Sequence, residues 1–376
     1  MTLKYRRARW IIASVTFAAL TASCAPQTAG PSQRTITRDS RLALPARVKA
    51  GQFISVRFVP KGRRNAVEVA VSSARTGAVV RRLLSATDDG MTVNGLSVDR
   101  SGDLWITYSE GPVYQNDLAG GDPKPHSCAN EIVVLHHATG LASVFLRTGN
   151  DIAISGAAIS PDGRTLAYDE SGCATGYLNN YLRITRVATK QSWTIGRALQ
   201  RCHFLTNPAW TLDSRALAVS YSAHTGPAYT GPQGTCGGFA PGRLVELSPA
   251  AQPGLSGRSA APAKGCGITS AAPAAGGGLL AIQACGAKDH TNGPAWLLVF
   301  GADLRLLRQI PLGRCTDGND LGTARTGRSV LVSAYMFCNP PGRPGPVTKL
   351  WSYSDGRLRF LTSVPGGNLA VSHIAW

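Results

Sequence analysis

The chain has 376 residues and carries 39 basic against 21 acidic side chains, for a formal net charge of +18. The basic residues are scattered rather than clustered and form no recognised nucleic-acid motif, which argues against nucleic-acid binding. Two interpretations of the charge stay open. It is either a solvated surface with the arginine bias of a GC-rich genome, or an attraction to anionic partners such as wall polymers or lipid headgroups.

Residues 1–24 form a predicted signal peptide. A basic stretch precedes eleven apolar residues, Trp10 to Leu20, which are too few for a membrane span of about 20 residues. The segment Thr21-Ala22-Ser23-Cys24 resembles a bacterial lipobox, although leucine is usual at the first position. This resemblance implies an exported, extracytoplasmic protein, anchored to the cell membrane through a lipid on Cys24. The alternative is ordinary cleavage near Ser23 or Ala25, with release of the protein.

Residues 25–50 are rich in Pro, Thr, Ser, Gly and Gln and show almost no apolar periodicity. Such a composition is typical of a flexible spacer. We therefore expect a tether that joins the membrane anchor to a folded domain spanning residues 51–376.

A strand–turn–strand pattern recurs through this domain. Its fullest copy is Ala158–Tyr168, which contains Ser160-Pro161-Asp162-Gly163, and aligned turn residues fall 61, 51, 63 and 50 residues apart. The aligned turn positions are Gly102, Gly163, Ser214, Gly277 and Gly327. Asp-Gly, Ser-Gly, Asp-Ser and Gly-Gly tolerate the positive φ values of tight hairpins, and a period near 50 is typical of a repeat architecture.

A second hairpin follows each copy, as in Glu131–Leu135 with Ala142–Leu146. The copy at Arg243–Leu247 is incomplete and is followed by a Pro/Ala/Ser/Gly-rich insert from Pro249 to Ala263. The chain has six second hairpins but only five first hairpins. Its C-terminal residues match a first strand, and Gln52–Val59 match a second strand. We therefore predict an all-β, six-bladed β-propeller with four-stranded antiparallel blades, closed by pairing of the C-terminal strand with the N-terminal blade.

These repeats resemble the WD40-like repeats of the TolB type, whose signature is Ser-Pro-Asp-Gly followed by a small apolar strand. Only residues 160–163 match in full, and no copy ends in Trp-Asp at the WD40 position. The resemblance covers most of the mature chain and implies a fold, but it carries over no catalytic residue.

Nine cysteines less the candidate lipidated Cys24 leave eight, an even number that suits an oxidising compartment. In a propeller, the loop entering the first strand and the loop after the second strand share one face. This geometry predicts Cys202–Cys236, Cys266–Cys285 and Cys315–Cys338. Cys128 and Cys173 occupy the same loop in adjacent blades and remain as the fourth pair.

The cysteine-bearing face also carries the longest loops. Four histidines, His126, His203, His224 and His290, fall in or beside them, with Asp122, Asp289, Asp317 and Asp320. Imidazoles and carboxylates that meet at one channel mouth could bind a metal ion. No two histidines have a ligand-like spacing, however, so a metal site is the weaker hypothesis and no cofactor is expected.

Aromatic residues in the same loops suit a binding role, because exposed rings stack on sugars and anchor protein contacts. The candidates are Tyr114, Tyr177, Tyr229, Phe239 and Tyr335. Anchoring of the loops themselves would explain many such rings equally well. The sequence favours a monomeric, non-enzymatic binding or scaffold propeller for cell-envelope glycan or protein. The alternative is a propeller hydrolase or metal-dependent enzyme with its site at the loop-bearing channel mouth.

Overall fold

In the computed structural model of the protein, the described residues form twenty-four strands that build a ring of six blades. The structure describes residues 48–49, 51–61, 64–86, 91–110, 130–149, 152–172, 180–196, 203–223, 242–250, 255–285, 293–313, 316–324, 328–336, 347–365 and 374–375. The predicted signal peptide lies outside these residues, as does the predicted tether apart from Val48 and Lys49. Among the helices of the described residues, none has the length and apolar character needed to cross a membrane.

Each blade is a four-stranded antiparallel sheet, with its strands in order from the innermost to the outermost. Blade 1 consists of β24 (Ile374–Ala375), β1 (Gln52–Lys61), β2 (Arg64–Ser73) and β3 (Val79–Ala86). Blade 2 consists of β4 (Met91–Val98), β5 (Leu104–Glu110), β6 (Asn130–Leu135) and β7 (Ala142–Arg147). Blade 3 consists of β8 (Ile152–Ile159), β9 (Thr165–Gly172), β10 (Asn180–Arg186) and β11 (Ser192–Ile195).

Blade 4 consists of β12 (His203–Trp210), β13 (Leu217–Ala223), β14 (Arg243–Leu247) and β15 (Gly257–Ala260). Blade 5 consists of β16 (Cys266–Pro273), β17 (Leu279–Cys285), β18 (Ala295–Phe300) and β19 (Leu306–Gly313). Blade 6 consists of β20 (Thr316–Thr323), β21 (Ser329–Met336), β22 (Val347–Ser354) and β23 (Arg357–Pro365). A single 3₁₀ turn, Ala275–Gly277, stands among the described residues. The six-bladed architecture predicted from the repeats is confirmed.

Ring closure is also confirmed. The C-terminal strand β24 pairs with β1, with Ile54 opposite Ala375 and Ser55 opposite Ile374. Ile374 and Ala375 are 2% and 4% exposed. The last strand of the chain thus completes the first blade and covers an edge that would otherwise be free to pair with another chain.

The recurring turns adopt the backbone that their residues predict. Gly102, Gly163, Ser214 and Gly277 all have positive φ, between 61° and 95°. In the fullest copy, Ser160 donates its hydroxyl to Asp162 (2.6 Å) and accepts the Thr165 N–H (2.9 Å). The Ser-Pro-Asp-Gly motif is therefore a self-capped turn between two strands.

The hydrophobic core consists of clusters that lie between neighbouring blades. One contains Leu182 and Leu205 from blades 3 and 4, and another contains Phe53, Leu331 and Ile374 from blades 1 and 6. The second strands are short and apolar because blades cover both of their faces.

The segment after β14 differs from the sequence expectation. The insert from Pro249 to Ala263 contains β15, which pairs with β14 and completes blade 4. Gly257, Arg258 and Ser259 on this strand are exposed. The strand has little apolar pattern because it lies at the outer edge of the blade, where it buries almost nothing.

Candidate functional site

The innermost strands of all six blades line a central channel with about 140 Å³ of cavity volume. Small and apolar residues form much of its wall, including Gly95, Ala157, Ala209 and Ala271. Five of these strands contain a break in register with the second strand of the blade, for example between Val93 and Gly95 on β4 and between Gly318 and Asp320 on β20. Such bulges direct residues out of the regular ladder, toward the channel and the next blade.

Polar groups along the channel connect one blade to the next. The Asn207 amide donates to the Thr269 carbonyl of blade 5 (2.7 Å), and the Asn94 amide donates to the Ile154 carbonyl of blade 3 (3.3 Å). The Trp210 indole donates to the Ala158 carbonyl (3.0 Å). These side chains therefore serve as braces between inner strands.

The carboxylate of Asp320, in the channel wall, accepts hydrogen bonds from residues of three inner strands. Its Oδ1 accepts from its neighbour Leu321 N–H (2.8 Å) and from the Ser270 hydroxyl of blade 5 (3.2 Å). Its Oδ2 accepts the Ile374 N–H of the closing strand (3.2 Å). From the sequence this residue is grouped with candidate metal ligands, and the structure shows it joining three inner strands, β16, β20 and β24.

Close approach of β20 and β24 accompanies this contact. A Cβ atom added to Gly322 would lie 2.8 Å from the Ile374 carbonyl oxygen. Glycine at this position therefore lets the closing strand lie directly against blade 6.

Tyrosines anchor the roots of three long connections at the predicted loop-bearing face. The connections are 111–129, 173–179 and 224–241, which link second and third strands of blades 2, 3 and 4. In blade 2, Tyr108 and Arg147 both donate to Glu131, which is 7% exposed. The buried carboxylate thereby joins the end of β5 to the start of β6, the two strands that the 111–129 connection links.

Blade 3 repeats this arrangement with the carboxylate on the second strand. Glu170, 5% exposed, accepts from the Tyr181 hydroxyl (2.8 Å) and from two nitrogens of Arg183 (2.8 and 3.0 Å). Hydrogen bonding to Glu170 raises the pKa of Arg183 above its usual value. Glu170 and its neighbour Asp169 are both buried within β9.

Replacing Glu170 with Ala is expected to lower the free energy of unfolding by about 2 kcal/mol, because it leaves Arg183 and the Tyr181 hydroxyl without their shared acceptor. The matched control is Glu246→Ala, which removes a bidentate partner of Arg258 at the outer edge of blade 4, where Arg258 is 52% exposed. This control is expected to cost less than about 1 kcal/mol. Urea denaturation measures both losses, and equal values would contradict an anchoring role for Glu170.

In blade 4 the root of the loop contains one of the candidate metal ligands. His203, the first residue of β12, hydrogen-bonds through Nδ1 to the Tyr221 hydroxyl, and Arg243 lies 4.8 Å from the centroid of the Tyr221 ring. Burial lowers the pKa of His203. A neutral imidazole is the form that metals bind, but one nitrogen of His203 already has a partner.

The other sequence-predicted site residues are distributed as follows. Tyr335 lies on β21 and is 3% exposed, so it presents little surface to a ligand. Tyr114, Tyr177, Tyr229, Phe239, His126, His224 and His290 lie outside the described residues, as does Cys24. Within the ranges that the structure describes, no three His, Cys, Asp or Glu side chains are grouped as metal ligands.

One predicted disulfide is confirmed. Cys266, the first residue of β16, is bonded to Cys285, the last residue of β17, and the two face each other in the strand register. The predicted pairs Cys202–Cys236, Cys315–Cys338 and Cys128–Cys173 lie outside the described residues. The confirmed bridge joins the first and second strands at the same end of the ring as the long connections.

A buried polar position that repeats on the second strands is not apparent from the sequence. Ser55, Thr107, Asp169, Ser220, Gln283 and Ser333 occupy equivalent places in the six blades, and each is at most 7% exposed. Ser220 donates to the Ile268 carbonyl of the next blade (2.6 Å). These polar residues recur every 50 to 63 positions in the sequence, but a single polar residue within a short apolar strand is easily overlooked.

No protein-family model and no curated protein sequence matches this chain. Solved structures do match. A Bacteroides caccae protein of unknown function has 11% identity and a TM-score of 0.49 over 86% of this chain and 97% of that one. The hydrazine synthase of Kuenenia stuttgartiensis has 12% identity and a TM-score of 0.45 over 76% and 70%. An oligogalacturonate lyase in complex with manganese has 13% identity and a TM-score of 0.40 over 84% and 74%. These similarities concern the fold alone and assign no activity to this chain.

Proposed function

We propose that this protein is an exported, membrane-anchored binding or scaffold propeller. It uses the face with the long connections to hold a cell-envelope protein or glycan and does not transform it. Cys24 would carry the lipid, and residues 25–50 would hold the ring away from the membrane. Tyr114, Tyr177, Tyr229 and Phe239 remain the candidates for ligand contact, whereas the buried Tyr335 does not.

The anchoring of the loop roots is the observation that supports this proposal. Three neighbouring blades place a tyrosine at the root of a long connection, and each tyrosine contacts a polar or charged partner: Glu131, Glu170 or His203. A rigid ring that presents loops from fixed positions is the usual construction of a binding surface. The channel supports the same conclusion, because Asn94, Asn207 and Asp320 have polar atoms engaged in bridging strands.

A retention assay with the full chain tests the proposal. Immobilised protein should retain cell-wall polysaccharide or a defined envelope-protein fraction, and Tyr229→Ala with Phe239→Ala should reduce retention at least tenfold. Central aromatic contacts in an interface are commonly worth about 2 kcal/mol or more on truncation. The control is Phe145→Ala, which removes a ring from the outermost strand of blade 2 and should leave retention unchanged.

The enzyme alternative predicts different results. A metal-dependent enzyme would copurify with stoichiometric metal that disappears in His224→Ala or His290→Ala, and it would turn over a substrate. The binding proposal would be overturned if the protein copurified with such a metal or turned over a substrate, and if its ligand retention were unchanged by Tyr229→Ala with Phe239→Ala.

A further inference from the structure

The outer edges of blades 5 and 6 carry a concentration of exposed apolar and basic side chains, which we call the blade 5–6 rim. It consists of Arg305, Leu306, Leu307 and Arg308 at β19 and of Arg357, Arg359 and Phe360 on β23. Leu306, Leu307 and Phe360 are 47%, 64% and 52% exposed. At the outer edges of blades 1 and 2, the exposed large apolar residues among those described are Val80 in blade 1 and Leu141 and Val144 in blade 2.

Contacts between the two blades make the rim one surface. The Arg308 guanidinium donates to the Gly356 carbonyl in the last turn of blade 6 (2.7 Å). Leu307 and Tyr353 line a common cavity of about 230 Å³ between the blades. Phe360 is opposite Trp351 in the register, and their rings are in edge contact with centroids 6.1 Å apart.

Trp351 and Leu358 pack with blade 5 residues, so this face of blade 6 points toward blade 5. Cross-strand partners share a face of a sheet, and Phe360 therefore lies on the same side. Leu307 and Phe360 consequently flank one groove at the edge of the ring, whereas Leu306, opposite Phe300 in the register, lies on the face of blade 5 that packs against blade 4.

The arginines of the rim differ from those on other outer strands. Arg82, Arg147 and Arg258 each form an ion pair with a glutamate of the neighbouring third strand. The third strands of blades 5 and 6, β18 and β22, contain no acidic residue. Accordingly, Arg305, Arg357 and Arg359 form no ion pair with any residue that the structure describes.

We propose that the blade 5–6 rim docks the propeller edge-on against an anionic phospholipid surface. Charge complementarity selects an anionic partner, because the guanidinium groups are exposed and have no carboxylate partner among the residues that the structure describes. The exposed leucines and phenylalanine select a membrane over a soluble polyanion, since apolar side chains gain free energy in the headgroup–acyl boundary and nothing in a hydrated polymer. The alternative role of the rim arginines is to prevent strand pairing between chains, as charged residues on edge strands do. That role does not explain the exposed leucines Leu306 and Leu307.

Vesicle binding by the full chain tests this docking. The probes are phosphatidylcholine vesicles with and without phosphatidylglycerol, and binding is measured by flotation. The triple variant Arg305→Gln, Arg357→Gln, Arg359→Gln should bind anionic vesicles at least tenfold more weakly, as each basic side chain near such a surface contributes about 1 kcal/mol. The control, Arg75→Gln with Arg164→Gln and Arg215→Gln, makes the same change in net charge at exposed positions elsewhere and should reduce binding less than threefold. The N-terminal segment is identical in all variants.

A second variant separates lipid from a soluble polyanion. Leu306→Gln with Leu307→Gln should weaken binding to anionic vesicles several-fold and leave binding to soluble polyphosphate unchanged. Thermal unfolding should be the same in all variants, because every changed side chain is exposed. Equal vesicle binding by the rim and control triple variants would overturn the proposal. So would vesicle binding that is insensitive to the leucines. Neither result would bear on ligand retention by the loop-bearing face, which Tyr229→Ala and Phe239→Ala test.

Discussion

Replacing Asp320 with Ala is expected to lower the free energy of unfolding by about 3 kcal/mol. The substitution leaves the Ile374 N–H and the Ser270 hydroxyl without the carboxylate that accepts from both. Hydrogen bonds to charged groups contribute about 1.5–3 kcal/mol each, and the cost rises because Ile374 and Ser270, whose donors lose their acceptor, are buried. Because the Ile374 contact holds the closing strand, we also expect faster proteolysis near the C-terminus.

The Asp320→Asn variant is the matched test of this role. Its amide oxygen can keep the bonds to Leu321 and Ser270, but its NH₂ group would face the Ile374 N–H, a donor against a donor. We expect roughly half of the loss seen with Ala. Urea denaturation provides the measurement, with an unchanged m-value as the sign that both variants unfold from the same compact ring. A loss below about 1 kcal/mol for Asp320→Ala would show that strand pairing alone closes the ring.

Removing the Cys266–Cys285 disulfide is the second large expected effect. Replacing both cysteines with Ala is expected to lower the free energy of unfolding by about 3 kcal/mol, since the bridge closes a short loop and restricts the unfolded chain. The two residues are separated by 19 positions in sequence. Thermal unfolding under non-reducing conditions measures the loss, which should appear as a reduction in Tm of a few degrees.

The single variants provide the control for this bridge. Cys266→Ala and Cys285→Ala should each be destabilised nearly as much as the double variant, because either change removes the same bond. Each single variant should also gain one free thiol. An unchanged thiol count, or single variants as stable as the wild type, would show that the two cysteines are not bonded to each other in the protein.

Much of the ring could be predicted because its turns depend on local chemistry. Asp162-Gly163 and Asp213-Ser214 favour left-handed backbone wherever they occur, and both segments adopt the expected hairpin turn. Recurrence of such turns defines the blades. The sequence contains one more second hairpin than first hairpins, and this difference indicates that the C-terminal strand completes the ring. The outer strand β15 was missed for the same physical reason: a strand at the edge buries little, so it has no need of an apolar pattern.

The candidate site was less predictable. Tyr108, Tyr181 and Tyr221 are visible as loop-flanking aromatics, but their partners come from other strands or positions: Glu131, Glu170 and His203. Asp320 was grouped with possible metal ligands from its place in the chain, whereas its carboxylate holds Ser270 and Ile374. Residues 50 or more positions apart meet there, and no local pattern encodes such a meeting.

The amino-acid order alone determined the number of blades, the closing strand and the Cys266–Cys285 pair, because each depends on turn chemistry or on its recurrence along the chain. Packing between blades determined the rest. It engaged the channel's polar groups as braces and brought the apolar and basic residues of two outer strands onto one rim. Pairing of strands within single blades anchored the loop roots on Glu131, Glu170 and His203. All of these features depend on contacts between segments that are distant in sequence, and those between blades form only when the blades assemble.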